Sequence, residues 1–149
     1  MGTENNSAND TENLGRRFKI VGNHWKENCL PSLNDVLAEA TRHPMCYHRL
    51  KTSMEQVVVG AIRKDLKNYK ATTRISLDIV WGEKKKGTRR DFDNVVAAGR
   101  KIINDALVKT GVIKDDNPKY LLYGRNKFVY VDEPFIEVII VEDKNAKSL

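Results

Sequence analysis

The stretch Arg89-Arg90-Asp91-Phe92-Asp93-Asn94, continued by Val95 to Thr110 and then by Gly111-Val112-Ile113-Lys114-Asp115-Asp116-Asn117, organises the chain. A basic run leads into two aspartates, and a helical pattern follows. Two more aspartates come shortly after Gly111, which is placed to end the helix at C′. Carboxylates at both ends of one helix suit a hard cation, because Mg2+ takes one or two carboxylates together with substrate phosphate oxygens. If the Asp91–Asp93 segment is extended, its two side chains point the same way, and Asp116 on the returning chain closes the set. Lysines and arginines beside it would hold a phosphate backbone. The constellation predicts metal-assisted phosphodiester chemistry. The same residues also admit a plainer account: Asp is favoured at N-caps, and Asp115-Asp116-Asn117-Pro118 has turn composition.

Working outward, Asn94, Ala98, Lys101 and Asp105 recur at helical spacing and share one face, where Asp105 is placed to pair with Lys101. Val96, Gly99, Ile103 and Ala106 make the neighbouring apolar stripe. Upstream, Gly82 to Arg90 is a glycine-bounded basic loop that delivers Lys84, Lys85, Lys86, Arg89 and Arg90 to the aspartates. Flexible basic segments gain affinity for polyanions through counterion release. Thr72 to Trp81 alternates, with Ile75, Leu77, Ile79 and Trp81 on one face of a strand. Tyr47 to Asn68 is the longest helical pattern, with Leu50, Met54, Val57, Val58, Ala61, Ile62 and Leu66 as its core stripe. Its other face carries Arg49, Lys51, Arg63, Lys64 and Lys67, and reads as a solvated flank, with a DNA-facing flank as the alternative. Leu33 to Arg42 is a short helix capped by Ser32, with Asp35 in place of the capping-box glutamate, and Pro44 interrupts the pattern after it. Asn34 is either a first-turn residue or a polar neighbour of the site. Arg17 to Gly22 reads as a first strand. Lys119–Tyr123 and Lys127–Val131 read as a hairpin around Gly124-Arg125-Asn126, and Phe135–Val141 as a final strand. Residues 1–15 have the composition of a disordered polar tail, and residues 143–149 that of a frayed end. This order predicts a single α+β domain over residues 16–142, a mixed sheet packed against two main helices.

Composition narrows the function classes. The chain has 149 residues, 40% of them hydrophobic, and a formal net charge of +6. That length fits one domain, and the basic balance favours a polyanionic partner. No apolar run approaches transmembrane length, and the polar, acidic opening residues predict no signal peptide. Cys29 and Cys46, with His24, His43 and His48, lack the tight paired spacing of zinc ligands. A reduced cytosolic protein without zinc follows. A nucleotide-sugar transferase using Asp-x-Asp is excluded by the short chain and the lack of a glycine-rich nucleotide site.

Three segments carry a resemblance: Arg90-Asp91-Phe92-Asp93-Asn94, Lys101-Ile102-Ile103-Asn104-Asp105-Ala106-Leu107 and Gly111-Val112-Ile113-Lys114-Asp115-Asp116. Together they resemble the core of the RusA-like Holliday-junction resolvases, a family common in prophages. Pro31-Ser32-Leu33-Asn34 and the Tyr123 to Val131 stretch are similar to further segments of that family. The likeness extends over residues 17–142. It implies a cytoplasmic, phage or bacterial, Mg2+-dependent endodeoxyribonuclease of DNA recombination and repair. Such an enzyme resolves four-way junctions by symmetric nicks as a homodimer, and Mn2+ substitutes for Mg2+. By resemblance, Asp91, Asp93 and Asp116 hold the metal, with Asp115 as an alternative or additional ligand. Lys84, Lys85, Lys86, Arg89, Arg90 and Asn94 contact DNA. The family's catalytic lysine, one turn beyond Asp-x-Asp, falls on Ala97. Counted back from Asp105-Ala106-Leu107, Lys101 takes its place, four residues or about 6 Å further along the helix. The alternative is a nucleic-acid-binding module without nuclease activity.

Overall fold

In the computed structural model, which describes residues 16–143, Trp81 lies fully buried between a sheet and the helix that crosses it. Four strands form the sheet: β1 (Arg17–Val21), β2 (Ile75–Lys84), β3 (Leu121–Val131) and β4 (Phe135–Glu142). Three helices accompany them: α1 (Leu33–Arg42), α2 (Pro44–Leu66) and α3 (Phe92–Lys109). The strand order is β1-β4-β2-β3. β4 runs antiparallel to both β1 and β2, whereas β2 and β3 are parallel. A parallel pair needs a crossover connection, and α3 supplies it. The chain is therefore a single α+β domain with a mixed sheet, as the pattern of elements predicts.

The alternation in β2 decides which face is covered. Ile75, Leu77, Ile79 and Trp81 are buried, and Phe18 and Ile20 of β1 and Ile136, Val138 and Ile140 of β4 join them. The helices lay Leu50, Met54, Val58 and Ile62 of α2 and Val95, Ile102, Ile103 and Leu107 of α3 against this layer. Gly99 brings α3 close to the sheet, because a Cβ there would run into the Trp81 ring. The indole in turn donates from Nε1 to Asn126 Oδ1 at 2.9 Å and stacks on Phe128.

Several sequence expectations shift. The short helix α1 ends at Arg42 as expected, and Pro44 stands beyond its C-cap. It opens α2 at its first turn, where a missing N–H costs nothing, and His43 Nδ1 accepts from Met45 N as the cap. β2 begins at Ile75 rather than Thr72 and continues to Lys84, so Gly82, Glu83 and Lys84 are strand residues. The predicted hairpin at Gly124-Arg125-Asn126 is instead a bulge within one continuous strand: Leu77 pairs with Tyr123, but Ile79 pairs with Asn126. A bulge absorbs an extra residue and leaves an N–H outside the ladder. Here Asp78 Oδ1 takes Arg125 N at 2.8 Å, and Gly124 is needed because a side chain would collide with the Leu77 carbonyl. On α3 the buried face is wider than the expected stripe: Gly99, Ile103 and Ala106 are inside as expected, Val95, Ala98, Ile102 and Leu107 join them, and Val96 is half-buried. The capping box of α1 forms as expected, Ser32 Oγ taking Asp35 N and Asp35 Oδ2 taking Ser32 N. Asp143, expected to fray, is held by Arg74 through an N–H bond and a 2.8 Å ion pair. The expected tail at residues 1–15 and the remaining end at 144–149 lie outside the described residues.

Candidate active site

Asp91 is the N-cap of α3. Its Oδ1 accepts from Asp93 N at 2.9 Å and Asn94 N at 3.3 Å, so it satisfies two of the four N–H groups that a helix start leaves open. The capture starts the helix at Phe92. Asp93 therefore sits in the first helical turn, where it favours the positive end of the helix dipole, and not on an extended dipeptide as the sequence suggested. Asp91 and Asp93 are both exposed, and Asn94 is half-buried beside them.

At the other end of α3, Gly111 adopts a positive φ of 80° and ends the helix, with Val112 N returning to Leu107 O. The reversed chain brings the Asp115–Asp116 loop back over the helix. Lys101 Nζ lies 3.8 Å from Asp116 Oδ2 and 3.2 Å from Asp105 Oδ1. Asp105 Oδ2 is also 3.9 Å from Lys51 Nζ on α2. Hydrogen bonding and charge from Asp105, with a smaller contribution from Asp116, hold the Lys101 ammonium above the ordinary lysine range. Asp115 serves its own turn: Oδ1 takes Asp116 N and Oδ2 takes Asn117 Nδ2. The Asp116 N–H, first among these contacts, holds the Asp115 carboxyl below its usual range. Beside this cluster is a mostly apolar groove of about 240 Å³ between the helices, lined by Pro31, Tyr47, Leu50 and Ala97, with Lys51, Lys101 and Asp105 at its polar edge.

The structure thus brings Lys101, Asp105 and Asp116 together, with the Lys101 ammonium directed toward the C-terminal half of α3. Asp91 and Asp93 remain at the N-terminus. From Asp93 to Asp105 the axis rises about 18 Å at 1.5 Å per residue. Among the described residues, no three His, Cys, Asp or Glu side chains are gathered closely enough to hold a metal ion. The oxygens present are of the hard type that Mg2+ prefers, but a cation here relies on one or two carboxylates and on substrate phosphate oxygens. Both cysteines are free thiols, and burial pushes Cys29 up to about 12, so it stays protonated.

The basic residues divide into two groups. Lys85 and Lys86 are exposed in the turn around Gly87, Lys84 is half-buried at the end of β2, and Arg89 lies over the Tyr130 ring at 4.1 Å. Arg90 differs. Its guanidinium makes a two-pronged bond to Glu83 at 2.8 and 2.7 Å and donates to Leu30 O at 2.7 Å, with Asp35 at 3.7 Å. Arg90 therefore anchors the loop before Asp91 to the body of the fold and is not a free phosphate contact.

Sequence reasoning missed Glu83 and Arg100, and gave Lys51 and Tyr123 no role of their own in the site. Glu83 was detectable, since it continues the inward parity of Ile75, Leu77, Ile79 and Trp81. Arg100 was detectable too, lying between Gly99 and Ile103 on the apolar side of α3. Lys51 and Tyr123 carry no local signal, because their neighbours come from distant parts of the chain. No protein-family model matches this chain, and no curated protein is similar to it at a meaningful level. No helix among the described residues is long and apolar enough to cross a membrane.

Proposed function

We propose that this chain is a metal-dependent endodeoxyribonuclease that resolves four-way junctions or other branched DNA as a C2 homodimer in the cytoplasm. The observation that carries this reading is the contact between Lys101 and Asp116. It sets the lysine of the Asp-Ala-Leu helix against the Asp-Asp loop, so the added turn that displaces the lysine from position 97 does not separate it from the acidic loop. Lys84, Lys85, Lys86 and Arg89 bind backbone phosphates, and Asn94 supports the same strand near the helix start. Lys101 offsets the negative charge that grows on the scissile phosphate. Asp91 and Asp93 at the start of α3 would hold Mg2+, or Mn2+ in its place, with substrate phosphate oxygens completing its shell, and Asp116 and Asp115 would join them where the loop closes toward the helix start. When bound, the ion supplies Lewis acidity toward a phosphate oxygen.

A second reading, a nucleic-acid-binding module without nuclease activity, is favoured by one observation: among the described residues the carboxylates are not assembled into a metal-sized group. Cleavage of four-way junction, fork and duplex DNA with and without Mg2+ separates the two. The nuclease cuts branched DNA only with the ion. Binding without Mg2+-dependent cleavage supports the module.

A further inference from the structure

β3 is an edge strand, and Tyr123 sits on it in register with the fully buried Leu77. Parity points Tyr123 toward the covered face, yet it is 79% exposed. Its ring lies 4.3 Å from the Arg100 guanidinium. Arg100 is only 4% exposed, and its Nε and Nη1 are buried without a hydrogen-bond partner. No carboxylate pairs with it among the described residues. One helical turn on, Asn104 Oδ1 is also buried and unpartnered.

Buried cations are ordinarily paired, and an apolar residue of similar size at such a position is often no less stable. Arg100 is therefore poorly explained as a core residue. An exposed aromatic ring backed by a cation on one face leaves its other face open. This is the arrangement on which nucleobases stack, with added attraction from the guanidinium.

We propose that Tyr123, backed by Arg100, is a stacking platform for a nucleobase exposed at a DNA branch point. The proposal rests on the branched-DNA reading above and adds the feature by which branched DNA is distinguished from plain duplex.

The test uses a four-way junction carrying 2-aminopurine beside the branch point, in EDTA so that no cleavage intervenes. The wild-type chain is expected to quench the probe, and Tyr123→Trp to preserve the quenching. Tyr123→Ala should abolish it and bind the junction about tenfold more weakly, with duplex affinity unchanged. Arg100→Leu should weaken quenching without lowering the midpoint of urea unfolding; a lowered midpoint would make Arg100 a structural residue and overturn its part. If Tyr123→Ala quenches and binds like wild type while the wild-type chain still cleaves junctions, the platform is overturned and the nuclease reading survives. A wild-type chain that binds no DNA overturns both. A shift from dimer to monomer in Tyr123→Ala, without change in quenching, reassigns the ring to self-association.

Discussion

Lys101 Nζ stands 3.8 Å from Asp116 Oδ2, joining the middle of α3 to a loop that follows the helix by way of Gly111. Lys101 is the only one of the candidate site residues that touches a carboxylate from the other side of the Gly111 turn among the described residues. It therefore decides whether the loop aspartates act with the helix or apart from it.

Asp91→Asn, Asp93→Asn and Asp116→Asn each remove a charge while keeping side-chain size. All three should lose most junction cleavage and keep, or tighten, junction binding, because repulsion of phosphate falls. Asn caps a helix about as well as Asp, so Asp91→Asn should fold normally. Cleavage and gel-shift assays on the same preparations check this, with circular dichroism as the folding control. Wild-type cleavage in Asp93→Asn or Asp116→Asn would sink the mechanism.

The Lys101–Asp105 pair predicts a pH effect with a definite sign. Asp105 raises the folded-state pKa of Lys101. The pair's contribution is complete below the unfolded lysine value and is lost as pH rises through the raised one. Because Lys101 is 64% exposed, solvent screening limits that contribution to under about 1 kcal/mol. Asp105→Asn should therefore barely change stability at neutral pH, but should move the alkaline loss of cleavage to lower pH. Rate profiles of wild type and Asp105→Asn across the alkaline range measure the displacement. Lys101→Ala should lose cleavage at every pH.

Arg90→Ala should act on stability. It leaves Glu83, 9% exposed at its side chain, without its cation, and breaking a buried pair from one side costs about 3–5 kcal/mol. Urea unfolding should show a clearly lower midpoint. A midpoint within error of wild type would return Arg90 to the list of DNA contacts.

Replacing Lys84, Lys85 and Lys86 together by Ala should weaken DNA binding and reduce its salt dependence, since each phosphate contact adds roughly 0.9 to the slope of log affinity against log salt. Titrations at several salt concentrations give the slope directly. An unchanged slope would place the DNA surface elsewhere.

One small domain presents one set of candidate residues, whereas two symmetric nicks need two. Under the proposed paired cleavage, two-fold assembly would supply the second. Sedimentation at micromolar concentration should give twice the chain mass; a monomer, even with junction DNA bound, counts against paired cleavage.

Local pattern was enough for a good part of this molecule. The period-2 run from Ile75 to Trp81 specified a strand and its inward face, and the three-and-four spacing from Leu50 to Leu66 specified the long helix. Ser32 with Asp35 and Gly111 marked a start and a stop, because capping is decided by a few neighbouring backbone groups. Lys101 and Asp105 were readable as partners because four residues make about one turn. Tertiary structure decided the rest. Gly124-Arg125-Asn126 has turn chemistry, but pairing with β2 and the Asp78 carboxylate make it a bulge. Arg90 belongs to a basic run in sequence, yet the inward parity of β2 puts Glu83 beneath it and turns it into an anchor. The meeting of Lys101 with Asp116, and of Arg100 with Tyr123, depends on how the chain after Gly111 folds back over α3. Contacts of that kind bring together residues far apart along the chain, and no periodicity within either segment encodes them.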